Sequence, residues 1–378
     1  MKPGSKRRRL DGILAVAALT AACTGSPPAA PKLACTTLPI ASGPAAGASG
    51  QHSGLDLSSV PGYLVDVAAW SSKRALAVGW HVPPHGRALV ALWNGAAWRT
   101  LSSRALPWAV NLKAVASFPG GAWAVGKYGN AEHKQLGKPL IARVTDTTVR
   151  RVPVPGPEYG WLADVAATSA THAWAVGSAS GNASGPPLIV HWNGTAWTRA
   201  RLPATVREGL LYGVAATSRT NAWAVGYSFE GPLMVHWNGT AWTRVRLPPA
   251  LGRHLALDGV AATSRTNAWA VTGAKIVHWN GRRWDQVVTP HIGSYGLSDV
   301  AATSATNAWA TAGSAGSDRA LILHWNGRRW TCALTPFPSQ NAIIHVSASS
   351  ADNAWAVGSD GTGRILALHW NGHTSKRS

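Results

Sequence analysis

Seven segments of the chain open on a valine, and the residue ahead of it changes from copy to copy. In order it is Asp66, Ala114, Asp164, Gly213, Gly259, Asp299 and His345. If the copies surround one axis, three carboxylates and an imidazole converge there and could hold a cation or a polar ligand. The same carboxylates could instead cap backbone N–H groups where each copy begins, a common role for Asp. Histidine also recurs, at His191, His236, His278, His324 and His369, each just before a Trp. One imidazole per copy is too dispersed for a shared metal, whose His ligands lie about 2.1 Å away. A half-buried His hydrogen-bonded to a neighbouring loop is expected instead, and no metal. G-x-S-x-G, H-E-x-x-H, Walker and G-x-G-x-x-G patterns are absent, so no catalytic residue and no cofactor is expected.

These residues sit in an internal repeat. Its clear copies are 163–177 (ADVAATSATHAWAVG), 212–226, 258–272 and 298–312, and weaker ones lie at 65–79, 113–126 and 344–358. The opening valines (Val67, Val115, Val165, Val214, Val260, Val300, Val346) are spaced by 48, 50, 49, 46, 40 and 46 residues. Each unit reads as four strands: a (DVAAT), b (AWAVG), c (PLIVHW or LILHW) and d (AWTRVRL). An Asn-Gly pair joins c to d at Asn94, Asn193, Asn238, Asn280 and Asn326. That dipeptide predicts a type I′ hairpin turn, with positive φ at both residues. Four strands recurring every 40–50 residues specify an all-β protein, a seven-bladed β-propeller of four-stranded antiparallel blades. Helical repeats are excluded because the apolar runs lack i, i+3, i+4 spacing. With 40 Gly and 24 Pro among 378 residues and 13% charged residues, the composition argues against an all-α chain. No apolar run approaches the roughly 20 residues of a spanning helix.

The motif WNGTAWTRVRLPPA resembles the end of a kelch unit, although the Gly-Gly pair after strand b is missing. A closer resemblance is to secreted AWAVG…HWNGTAW repeat proteins of high-GC bacteria, over residues 63–373. It implies the same architecture and little about activity. Residues 1–22 have a basic start and an apolar run, Gly12–Ala22, as in a signal peptide. Leu19-Thr20-Ala21-Ala22-Cys23 resembles a lipobox, which implies lipidation of Cys23. Residues 23–60 then form a tether and a ring-closing segment, and 61–378 the propeller. The seventh copy stops after Asn371-Gly372 without a fourth strand, so closure by an N-terminal strand is expected, from Leu33–Pro39 or Leu55–Pro61. A disulfide between Cys35 and Cys332 is also expected. The two expectations compete. If Leu33–Pro39 closes the ring, the cysteines fall on adjacent outer strands over about 10 Å apart, beyond the roughly 7 Å a disulfide tolerates.

Of the 21 Trp, 17 occupy three repeat positions, on strand b, at the end of c and at the start of d. Strict repetition points to packing between blades. Trp70, Trp80, Trp108 and Trp161 fall outside the pattern and are better ligand candidates. From strand b to the strand-c His position the seven copies use 13, 17, 14, 10, 6, 12 and 11 residues, while the a–b and c–d links hardly vary. All the variation falls on one face, the expected binding face. Without residues 1–22 the chain carries 30 basic and 14 acidic residues. Arg99, Arg199, Arg201, Arg244, Arg246, Arg282, Arg283, Arg328 and Arg329 form a rim that suits anionic surface polymers or lipid headgroups. A rim is not a groove, and nucleic acid is not an expected partner. The reading is a lipid-anchored, non-catalytic binding or scaffold module on the outer face of a bacterial cytoplasmic membrane, or a secreted one. It would take a protein or glycan on the variable face, with Asp66, Asp164, Asp299 and His345 at the channel mouth. The alternative is a carbohydrate-binding or glycan-active propeller of glycosidase or sialidase type. Against the latter, Glu158, Tyr159 and Tyr212 form no recognisable set with an arginine triad.

Overall fold

The computed structural model describes residues 35–37, 57, 60–81, 86–129, 137–180, 183–313, 319–335, 343–359, 365–371 and 375–377. The 1–22 leader, Cys23 and most of the 24–60 segment lie outside these. Seven four-stranded antiparallel sheets follow one another along the chain, and in each the strands pair in sequence order. Blade four shows the plan: Leu210–Ser218, Asn221–Ser228, Gly231–Trp237 and Trp242–Arg244 are its strands a to d. Strand b is buried along almost its whole length. Neighbouring blades cover both of its faces, so it reads as a continuous apolar run with no alternation.

Each hydrophobic cluster joins two adjacent blades, and together the clusters run around the ring. At five seams the strand-b Trp of one blade meets the strand-d Trp of the next edge to face, at 5.1–5.4 Å and 80–89°. The strand-c Trp of that next blade completes the trio at 4.9–5.3 Å. Between blades one and two the three positions are Leu76, Val144 and Val149, and the seam is aliphatic. Between blades six and seven Trp309 meets Trp370 at 5.8 Å, and the third ring is missing. The position opposite Trp370 is Ser375. A void of about 30 Å³ lined by Trp309, Trp355 and Trp370 remains there.

Ring closure differs from the expectation. The C-terminal strand Ser375–Arg377 pairs antiparallel with Ile365–Trp370 and completes blade seven itself. Thr36–Thr37 pairs in parallel with Ala333–Leu334, adding a fifth strand to the outer edge of blade six. The competition between closure and disulfide is thereby resolved. With the segment displaced one blade back, Cys35 and Cys332 are bonded, their Cα atoms 4.8 Å apart. The rival segment contributes one side chain rather than a strand: Leu57 is buried with Leu64, Trp98 and Trp355 between blades seven and one.

The c–d links also differ from a type I′ turn. Asn193, Gly194, Thr195 and Ala196 form a four-residue loop between Trp192 and Trp197. Only the glycine takes positive φ, +103° at Gly194. Asn193 Oδ1 accepts the N–H groups of Thr195 and Ala196, both at 2.9 Å. The Asn side chain supplies what a tight backbone turn would otherwise provide.

Candidate functional site

Strand a of every blade faces the axis: Gly62–Ser71, Val110–Phe118, Trp161–Ser169, Leu210–Ser218, Gly259–Ser264, Gly296–Ser304 and Ile343–Ser350. Their alanine-rich second halves line one end of the central channel, a space of about 280 Å³. The variable residue ahead of each valine forms the waist, and the structure brings Asp66, Asp164, Asp299 and His345 together there. Asp66 Oδ1 accepts the Val67 N–H and Oδ2 the Val115 N–H of the next blade, both at 2.7 Å. Asp164 does the same for Val165 and Val214 at 2.7 Å. Asp299 does so for Val300 at 2.8 Å and Val346 at 2.9 Å. Each carboxylate therefore caps its own strand and staples it to the next blade. The glycines at this level leave room for the staples: a Cβ on Gly259 would stand 2.9 Å from Asp299 Oδ1.

His345 Nδ1 lies 3.4 Å from Asp299 Oδ2 and 3.7 Å from Asp66 Oδ1. Burial alone would push this imidazole down, but the hydrogen bond to Asp299 and the charges of Asp299, Asp66 and Asp164 carry it up to about 9. Burial pushes the Asp66 carboxyl up to about 7, although His345 and the two amide donors pull the other way. Asp164 rises to about 8 through burial and the charges of Asp66 and Asp299. Among the described residues no three His, Cys, Asp or Glu are placed to share a metal ion.

The mouth itself is built from residues one place earlier. In six blades a β-bulge precedes the waist, so Val65, Lys113, Ala163, Tyr212, Ser298 and Ile344 each fall in the step where the a–b register shifts. Asp258 takes the corresponding place in blade five, where its N–H donates to the Val271 carbonyl. A bulge re-aims the side chain it displaces. Here most of these residues line a cavity of about 620 Å³, joined by Lys127, Trp161 and His345. That volume is in the range of small-ligand sites. The cavity opens where strand a begins, on the face of the b–c and d–a connections. Trp161 and Tyr212 stack at 6.3 Å and 24°. Tyr227 and Phe229 continue the aromatic edge, and Phe229 is exposed. The Lys113 ammonium stands 5.4 Å from the Trp80 ring centroid. Burial, and then the charge of Lys127, lower its proton affinity. The Asp258 carboxyl is pushed up to about 6 by burial.

Of the four irregular tryptophans, Trp161 lines the cavity and Trp80 stands behind it. Trp108 stacks with Arg87 at 3.9 Å on a connection of the same face. Trp70 lies near the a–b turn at the opposite end. The repeating aromatics are structural. Strand-c Trp side chains donate Nε1–H to the a–b turn of their own blade, as Trp237 does to the Arg219 carbonyl at 3.0 Å. Ten other Trp Nε1 atoms, on strands b and d, are buried without an acceptor and sit against neighbouring rings. The repeating histidines lie on the strand-b Trp, 4.0 Å between centroids for His236 and Trp223. His236 Nε2 also meets Asn221 Oδ1 at 2.9 Å, and that Asn donates to Thr217 at 2.8 Å. Blade three replaces the Asn with His172, which burial, together with His191 and Arg219, pushes down to about 4.

Sequence reasoning missed Lys113, Lys127, Tyr212 and Asp258 as lining residues. The signal was available. The position two before each valine is Val65, Lys113, Ala163, Tyr212, Asp258, Ser298 and Ile344, different in every copy.

This is a seven-bladed β-propeller with a central cavity at the variable face. No protein-family model matches the chain. No curated protein sequence matches it either. Among solved structures, YCF48 bound to D1 peptide is similar at TM-score 0.58 and 16% identity, over 82% of this chain and 92% of that one. YCF48 from Cyanidioschyzon merolae is similar at TM-score 0.56 and 19% identity, over 82% and 97%. The GH74 xyloglucanase from Xanthomonas campestris is similar at TM-score 0.58 and 14% identity, over 84% of this chain and 54% of that one. At these identities the likeness concerns the fold alone.

Proposed function

We propose that the protein is a non-catalytic binding module, exported and lipid-anchored through Cys23, whose ligand occupies the central cavity. The observation that carries the reading is the coincidence of two kinds of irregularity. The 620 Å³ cavity is lined by strand-a residues that differ between copies. It opens on the face where the connections also differ in length. The remainder of the ring is nearly uniform, as a scaffold would be. The waist carboxylates engage two backbone amides each, which supports a structural role for them over general acid–base work. Among propellers of similar fold, YCF48 has a D1 peptide bound and the GH74 protein is a xyloglucanase, which is consistent with a peptide or a glycan as the ligand class. Most of the arginines on the outer strands are exposed and suit anionic surface polymers as secondary partners.

Presenting the full chain to glycan and peptide arrays tests the reading. Saturable binding that Trp161→Ala weakens at least about tenfold is expected, the usual loss for an aromatic anchor. Binding indifferent to Trp161→Ala would move the site elsewhere. Turnover of a bound glycan would replace the module by an enzyme. The anchor has its own test: Cys23→Ala should shift the protein from the membrane to the soluble fraction, and unchanged retention would refute it.

A further inference from the structure

We propose that the cavity takes an acidic sugar residue, a pyranose carrying a single carboxylate. Its carboxylate would lie at Lys113 and Lys127, and its ring would lie against Trp161 and Tyr212. The inference rests on the cavity being the ligand site.

Lys113 and Lys127 come from strands a and b of blade two and line the same wall. The repeat does not require them, since the places equivalent to Lys113 hold valine, alanine and serine in other blades. Like charges side by side in a recess destabilise one another. Among the described residues neither lysine has a carboxylate within ion-pair distance, and Trp80 offers only its ring face to Lys113. Two ammonium groups with no counter-ion among the described residues are matched by a ligand anion, through charge-assisted hydrogen bonds. Each lysine presents a compact point charge with rotatable donors, so the pair attracts an anion without imposing a bidentate geometry on it.

The rest of the wall narrows the class. Asp258 lines the cavity from blade five and repels a second anionic group, which disfavours polyphosphates and nucleic acid. Its half-buried carboxyl is an acceptor for a hydroxyl donor. The near-parallel pair Trp161 and Tyr212 supplies apolar ring surface between the two poles. A cation, an aromatic shelf and an acceptor in that order match a carboxylate, a carbon ring and hydroxyls.

Calorimetric titration of the full chain with three probes tests this. They are a glucuronic-acid-terminated oligosaccharide, its carboxyl-reduced counterpart and a peptide with a free C-terminal carboxylate. The acidic oligosaccharide should bind at least about tenfold more tightly than the reduced one, a difference of roughly 1.4 kcal/mol. Lys113→Gln and Lys127→Gln should each remove most of that difference, with circular dichroism unchanged. Equal affinity for acidic and reduced sugars would overturn the proposal, and so would binding of the peptide alone. In both cases the binding-module reading would stand. No saturable binding of any probe here or on the arrays would remove both. The wild-type comparison of the two sugars decides the matter even if a lysine variant fails to fold.

Discussion

At the axis, single protons matter. Asp66 and Asp164 hold theirs up to about pH 7 and 8 in the folded ring, against an ordinary 3.8. His345 holds its proton up to about 9, against 6.5. All three bind protons more tightly folded than unfolded. The stability they confer is complete below their unfolded values and is lost as pH rises through 7 to 9. The stacked histidines act the other way. His172, His191, His236, His278 and His324 are pushed below 6.5, chiefly by burial. Their contribution is present above 6.5 and is lost as pH falls through their folded values. Thermal unfolding followed from pH 4 to 9.5 should therefore show a maximum at mildly acidic pH. Asp66→Asn should flatten the alkaline limb and leave the acid limb in place. A Tm that climbs steadily to pH 9 would contradict the waist chemistry.

At the level of the elements, the seams are not equal. Five carry the indole trio, one is aliphatic and one has a gap. Both irregular seams carry an axial staple, Asp66 between blades one and two and Asp299 between blades six and seven. Placing a Trp at position 375 would restore the third ring opposite Trp370. Ser375→Trp should stabilise the fold by about 1 kcal/mol, the usual worth of an added aromatic contact. Urea denaturation of the variant reads this directly, and a lower midpoint would mean that the void is not the site of weakness. The strands themselves were legible in the sequence, because AWAVG runs and paired tryptophans around Asn-Gly recur with the same spacing. The mouth was legible only in part. Alternation along strand a has a period of two, and a bulge inserts one residue into it. Asp66, Asp164 and Asp299 thereby move inward to the waist, and Lys113 and Tyr212 take the mouth, where Asp258 joins them from just ahead of its strand without a bulge.

For the molecule as a whole, closure was the feature that local patterns misjudged. Ser375–Arg377 has no Trp and little resemblance to the other outer strands, yet its register opposite Trp370 makes it strand d. The N-terminal segment braces the ring in another way. It pairs with blade six at Thr36–Thr37, is bonded there through Cys35, and inserts Leu57 between blades seven and one. The disulfide closes a span of 297 residues. Its removal by a Cys35→Ser, Cys332→Ser double substitution should cost about 2–5 kcal/mol. Denaturation with and without reductant should show the same loss in the wild type and none in the double variant.

The bond also decides where a pull on the chain is felt. The covalent circuit from Cys35 through the peptide backbone to Cys332 encloses blades one to six and leaves blade seven outside. A load applied between the two ends of the molecule can lengthen only residues 1–34 and 333–378 while the sulfurs stay joined. Tension from the N-terminal side enters the ring at the rim of blade six and bypasses the other five enclosed blades. A pulling experiment is expected to extend the seventh blade first, with the six enclosed blades released only after reduction of the bond.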